Sequence, residues 1–217
     1  MTTTPDLQAR TDILRIALAM DDAGFAPSKS GNVSFRVEGG FIVTPSALPY
    51  RDTKPHDLVR LDLEGNILEG ARQPSSEWRF HAAIYRARPE INGVVHTHSP
   101  RATALSAARH PIPAFHYMIA IAGGHDIRCA PYATFGTEDL SRYAVASLEG
   151  RKATLLSNHG VIAIGRDLDA AWAVAREVEN LAGQYLDILA AGLEPVILDS
   201  AEMTRVLDQF ATYGRKG

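Results

Sequence analysis

The chain has 217 residues, 46% apolar and 22% charged, with a formal net charge of -3. That length and apolar content predict one folded domain over residues 1–217 with one substantial core. The balanced charge, with no basic run and no basic residues alternating with aromatics, argues against a nucleic-acid or membrane partner. No apolar run nears the roughly 18 residues needed to span a bilayer, and the opening Met1-Thr-Thr-Thr-Pro5 lacks the basic start and apolar stretch of a secretory leader. The single cysteine, Cys129, forbids an internal disulfide and fits a reducing compartment, so a soluble cytoplasmic protein is expected.

The first expected element is a helix. Thr4 can cap it, Pro5 suits its first turn and Gly24 stops it, with Leu7, Ile13, Leu14, Ala17 and Met20 on its apolar face. Residues 32–36 and 40–44 read as a hairpin turning at Glu38-Gly39-Gly40, and residues 58–62 and 67–69 as another turning at Glu64-Gly65-Asn66. A helix is expected over 75–88, closed by Pro89, then a buried strand over 93–97 and a short helix over 100–108. Residues 110–135, dense in Pro, Gly and aromatics, read mostly as strand and loop. A helix over 138–148 precedes two strands within 154–164 around Asn158-His159-Gly160. The longest helix, 168–190, is capped by Asp167 and ended by Gly192 and Pro195. Its apolar face comprises Leu168, Ala171, Trp172, Ala175, Val178, Leu181, Ala182, Tyr185 and Leu189. A last helix is expected over 201–210. Early hairpins and interspersed helices predict a layered α/β fold on a mainly antiparallel sheet.

Chemistry concentrates in a few segments. In Val94-Val95-His96-Thr97-His98, strand alternation turns both imidazoles to one face, where they can converge on one ion. An isolated His-x-His is more often a pair of ordinary surface or core histidines. His159, delivered by an apolar strand to a turn at Gly160, is the candidate third ligand; hydrogen bonding to a carbonyl is the competing reading. Glu77 can be a fourth ligand or a general base, although a glutamate in a first helical turn is also simply favoured by the helix dipole. Ser75 and Ser76 bring hydroxyls and N–H groups to an expected helix N-terminus, an anion-binding arrangement, with an ordinary N-cap as the alternative. Ser30-Gly31-Asn32-Val33-Ser34 and Thr44-Pro45-Ser46-Ala47 can add an amide and a hydroxyl to the same cradle, or be plain turns.

Together these segments resemble the class II aldolase/adducin family and, within it, the bacterial L-fuculose-1-phosphate aldolases. The likeness runs through Gly31-Asn32-Val33-Ser34, Thr44-Pro45 with Pro49-Tyr50, Pro74-Ser-Ser-Glu-Trp-Arg-Phe-His81, Val94-Val95-His96 with His98, Ile112-Pro113 and His116-Tyr-Met-Ile-Ala120. It continues through Gly123-Gly124, Ala130-Pro-Tyr-Ala-Thr-Phe-Gly-Thr137, Arg151-Lys-Ala-Thr-Leu-Leu156, His159-Gly160 and Thr212-Tyr-Gly214. The resemblance implies a three-layer α/β/α sandwich around a mixed, mainly antiparallel sheet. It implies zinc on His96, His98 and His159, with Mn2+, Fe2+ or Co2+ fitting the same donors. Glu77 would be a further ligand and the acid/base. Asn32, Ser46, Ser75 and Ser76, with backbone at Gly31 and Ala47, would hold a phosphate. Tyr117 would act on the aldehyde oxygen of a neighbouring subunit's site, and Phe135 and Tyr213 would line the aldehyde pocket. The implied protein is a homotetramer with sites at subunit interfaces. The implied reaction cleaves a ketose 1-phosphate, either L-fuculose 1-phosphate or a 5-deoxy- or 5-methylthiopentulose 1-phosphate, to dihydroxyacetone phosphate and a small aldehyde.

Three departures from the family pattern stand out: Ser46-Ala47 where Thr-Gly is usual, Asn158 where a second histidine is frequent, and a short tail ending at Gly217. The family alternatives are a ribulose-5-phosphate 4-epimerase, which looks for a further histidine near the C-terminus, and a methylthioribulose-1-phosphate dehydratase. No histidine follows His159, and Ser75-Ser76-Glu77-Trp78 matches the aldolases better. A non-catalytic adducin-like assembly module tends to lose the zinc histidines, and all three remain here.

Overall fold

The computed structural model describes residues 4–212. Its sheet is built from β1 (Asn32–Val37), β2 (Gly40–Val43), β3 (Val59–Leu61), β4 (Ile67–Glu69), β5 (Gly93–Thr97), β6 (Arg128–Ala130), β7 (Ala153–Leu156) and β8 (Gly160–Gly165). The eight strands lie in the order β4-β3-β2-β1-β5-β8-β7-β6. Every pair is antiparallel except β6 with β7, so the sheet is mixed and mainly antiparallel. The helices are α1 (Thr4–Asp22), α2 (Trp78–Ala87), α3 (Pro100–Ala107), α4 (Glu138–Ser147), α5 (Leu168–Ala190) and α6 (Ser200–Thr212).

Two apolar clusters, one on each face of the sheet, explain the layering. Val33, Val95, Val161 and Ala163 pack with α1, α3, α5 and α6. Phe41, Val94, Ile162 and Ile164 pack with α2 and α4. A sheet covered on both faces needs strands that are apolar on both sides, and β5, β7 and β8 are buried at every position. Alternation along β5 sends Val95 to one cluster and Val94 to the other, so His96 shares the face of Val94 and looks toward α2. The register sets Asn32 of β1 directly opposite His96.

Several boundaries differ from the sequence expectation, each for a local reason. Helix α2 starts at Trp78, not Ser75, because Pro74 bridges Pro45 and the Ser75 N–H donates to the Thr44 carbonyl at 3.0 Å. That backbone is extended and tied to the β2 loop, so Ser75 is no N-cap. Within 110–135 the structure holds β6 and a 3-10 helix, Tyr117–Ala122. The His116 side chain accepts from the Met118 N–H and Gly123 ends the helix at φ 85. Asp167 caps α5 as expected, accepting from the Ala170 N–H at 2.7 Å. Leu7 and Leu189, expected on apolar helix faces, are exposed.

Candidate functional site

Strand β5, the β7–β8 turn and the segment entering α2 converge at one end of the sheet. Glu77, His96, His98 and His159 each offer an atom there, and the four atoms lie within 4.8 Å of one another. His96 Nε2 stands 3.0 Å from His98 Nε2 and 3.2 Å from Glu77 Oε2, and His159 Nε2 stands 3.2 Å from Glu77 Oε1. The three imidazoles meet nearly edge to face, with ring centroids 4.9 Å apart. His159 reaches the group because Asn158 takes the left-handed conformation (φ 55), which asparagine tolerates. Its side chain donates to the Ala107 carbonyl and accepts from Arg109 Nε, which holds the turn. Gly160 then lets β8 close on β5; a Cβ there would sit 2.3 Å from the Thr97 carbonyl oxygen.

The donor set fits a cation. His96 Nδ1 donates to the Val161 carbonyl at 2.8 Å, which leaves its Nε2 lone pair facing the group. Burial first, then His96 and His159, push the His98 imidazolium down to about 3, which favours the neutral form that can ligate a metal. Burial alone would raise the Glu77 carboxyl, but His96 and His159 beside it hold it well below the usual carboxylate range. Glu77 Oε2 accepts from Asn32 Nδ2 at 3.0 Å. Glu77 Oε1 is buried without a hydrogen-bond partner and faces His159 Nε2 at 3.2 Å. A buried carboxylate oxygen set among three imidazole nitrogens is an arrangement that a divalent metal completes.

A cavity of about 320 Å3 opens beside this group. Glu77, His98 and His159 form one part of its wall. Gly31, Asn32, Ser46, Ala47, Ser75 and Ser76 form another. The Ser46 and Ser75 N–H groups are already bonded to the Gln73 and Thr44 carbonyls, so these two serines offer an anion their hydroxyls rather than their backbone. Ala47 adopts φ 61: the loop keeps a left-handed turn without the glycine usual there, at about 1–2 kcal/mol. Lys29 and Asn158, also at positive φ, line the same cavity, so three of the left-handed non-glycine residues gather at one place.

The chain matches the family model described as Class II Aldolase and Adducin N-terminal domain over residues 11–186. The chain belongs to this class II aldolase family. Among curated relatives it is 51% identical over 205 residues to the 5-methylthioribulose-1-phosphate/5-deoxyribulose-1-phosphate aldolase of Rhodospirillum rubrum, covering 94% of this chain and 92% of the relative. It is 46% identical over 202 residues to the L-fuculose phosphate aldolase of Escherichia coli K12, covering 93% and 94%. Among solved structures, an L-fuculose 1-phosphate aldolase superposes with a TM-score of 0.92 at 36% identity, covering 97% of this chain and 98% of that one. The chain is thus an enzyme of the metal-dependent aldolase class with the α/β architecture of that family.

Other expected residues of this class II aldolase fall in different places. Phe135 lines the cavity and is 65% exposed. Tyr117 does not: it lies in a separate groove with Met118, Val206 and Phe210, and is half exposed. Tyr213 is outside the described residues. Three cavity residues were given no role from the sequence: Lys29, Tyr132 and Ala133. Lys29 Nζ donates to the Ala47 carbonyl at 3.5 Å. An isolated lysine carries no periodicity or spacing signal, and only the neighbouring Ser30-Gly31-Asn32 turn pointed to this loop. Among the described residues no helix is long and apolar enough to cross a membrane.

Proposed function

We propose that this chain cleaves a 5-deoxy- or 5-methylthiopentulose 1-phosphate to dihydroxyacetone phosphate and a small aldehyde, with zinc held by His96, His98, His159 and Glu77. The observation that carries this reading is one cavity with a four-donor metal group on one side and serine hydroxyls, an amide and a lysine on the other. The identity to the Rhodospirillum rubrum relative favours these substrates. The likeness to the L-fuculose phosphate aldolases favours L-fuculose 1-phosphate as the second reading.

In this reading Ser46, Ser75 and Ser76 donate hydroxyl hydrogen bonds to the phosphate, Asn32 adds its remaining amide N–H, Gly31 and Ala47 shape the backbone around it, and Lys29 supplies positive charge. Contacts far from the breaking bond fix the reacting carbons against the ligand group. When bound, zinc supplies Lewis-acid stabilisation of the negative charge that develops on the ketose oxygens. Glu77 carries the proton to and from the carbon of the dihydroxyacetone phosphate fragment, and no lysine Schiff base is needed. Phe135 gives the cavity an apolar face suited to a methyl or methylthio group on the aldehyde. Tyr117 lies in another groove of its own chain, so it serves the aldehyde oxygen from a neighbouring subunit of a homotetramer. The chain is one domain over residues 1–217 and works in the cytoplasm.

The test is condensation of dihydroxyacetone phosphate with acetaldehyde, methylthioacetaldehyde and L-lactaldehyde. Preference for the first two supports the reading; preference for L-lactaldehyde moves the assignment to fuculose phosphate. Absence of any condensation by zinc-loaded protein overturns both.

A further inference from the structure

Behind the metal-ligand group lies a second buried polar chain. The Tyr85 hydroxyl is 2.7 Å from Ser34 Oγ, and Ser34 Oγ is 2.6 Å from His81 Nδ1. His81 Nε2 is 2.5 Å from Asn32 Oδ1, and Asn32 Nδ2 donates to Glu77 Oε2 at 3.0 Å. All five residues are buried, Ser34 and His81 completely.

Donor and acceptor counting fixes the direction of every link. An amide oxygen only accepts, so His81 Nε2 carries the proton. Nδ1 is then a lone pair, and the Ser34 hydroxyl donates to it. Ser34 Oγ, its one proton used, in turn accepts from the Tyr85 hydroxyl at 2.7 Å, the shorter of that hydroxyl's two contacts; the other, to the Asn92 carbonyl, is 3.3 Å. Every donor therefore points along the same path, which ends on the Glu77 carboxylate. The Glu77 carboxylate sets the Asn32 orientation, since a turned amide would place its oxygen against the carboxylate oxygen; the His81 tautomer follows from that orientation. Strand geometry builds the arrangement, because Asn32 and Ser34 are two apart on β1 and share the face toward α2, where His81 lies four residues after Glu77.

We propose that His81 is a positioning residue for the metal centre: by holding the Asn32 oxygen it locks the Asn32 NH2 onto Glu77 Oε2, which leaves the unpartnered Oε1 aimed at the ligand group. The side-chain hydrogen bonds of His81 go to Ser34 and Asn32, and His81 does not line the cavity, so its hydrogen-bonded path to the ligand group runs through Asn32. The proposal rests on the reading of Glu77 and the three histidines as a metal site.

The test compares His81→Gln, whose amide NH2 reaches the Nε2 position, with His81→Asn, whose amide reaches only the Ser34 side, and His81→Leu, which reaches neither. Zinc affinity of the metal-free proteins is measured by chelator competition, and kcat and KM by condensation. His81→Asn and His81→Leu are expected to bind zinc about 10- to 100-fold more weakly, with kcat lowered and KM for dihydroxyacetone phosphate little changed, while His81→Gln stays near wild type. A purely structural role would weaken the two amide variants alike. Equal zinc affinity across all folded variants overturns the proposal alone, whereas a wild-type protein without zinc affinity overturns the metal-site reading as well. Should the variants not fold, 15N NMR of the wild type decides: the Nε2–H tautomer at His81 supports the proposal and the Nδ1–H tautomer refutes it.

Discussion

Replacing Gly31 by alanine tests how tightly the cradle and the ligand strand are packed together. Gly31 sits at φ +83, and an added Cβ would lie 2.6 Å from the His96 carbonyl oxygen and 3.4 Å from Met20 Cε. A left-handed residue with a Cβ costs about 1–2 kcal/mol, and part of this is offset by the smaller freedom of alanine in the unfolded chain. The close contact adds about 1–3 kcal/mol, because β5 is flanked by β1 and β8 and its carbonyl cannot retreat. The Tyr50 hydroxyl, which donates to the Gly31 carbonyl at 2.7 Å, holds the loop from the other side. The expected loss is about 2–4 kcal/mol, or a melting temperature lower by about 5–15 °C in a domain of this size. Thermal unfolding followed by circular dichroism, with and without zinc, measures it. The zinc-dependent part of the stabilisation should also shrink, since the displaced backbone belongs to a ligand. A melting temperature within about 2 °C of wild type would refute the reasoning.

Glu77→Gln keeps the shape and the Asn32 side of the site but removes the proton carrier. It is expected to fold and retain zinc while kcat/KM falls by about 10²- to 10⁴-fold; near-wild-type turnover would remove Glu77 from the acid/base role. His96→Ala is expected to lose zinc and activity together, and stoichiometric zinc by elemental analysis of the variant would show the ligand set to be wrong. Lys29→Ala should raise KM for dihydroxyacetone phosphate by about 3- to 10-fold with little change in kcat, a modest effect because the ammonium is exposed. Acid should weaken the fold through His81. Burial first, then His96, pushes this group down to about 3, so the folded protein keeps it neutral while the unfolded chain protonates it near its ordinary 6.5. Stability is then lost as pH falls below about 6.5, by about 1.4 kcal/mol per unit. Denaturant titrations of the metal-free protein at pH 7.5 and 5.5 should show His81→Gln losing less than wild type.

The sheet and the clustering of the histidines were legible for the same reason. Strand alternation in Val94-Val95-His96-Thr97-His98 fixes which residues share a face, and β5 keeps that alternation between two apolar clusters. The turn at Asn158-His159-Gly160 was equally readable, because a left-handed residue and a close strand approach demand those residue types. The start of α2 was not readable, because it depends on the bridge between Pro45 and Pro74, which lie far apart in the chain. The 3-10 helix Tyr117–Ala122 looks like a strand in sequence, since an apolar run without helical spacing says nothing about the His116 cap. The chain from Tyr85 to Glu77 was invisible, since its links cross from β1 to α2.

The most direct measurement is condensation of dihydroxyacetone phosphate with acetaldehyde by purified protein, before chelation, after chelation and after zinc is restored. Product formation that disappears with the chelator and returns with zinc is the predicted result. Zinc bound stoichiometrically without condensation, or condensation indifferent to the chelator, would contradict it.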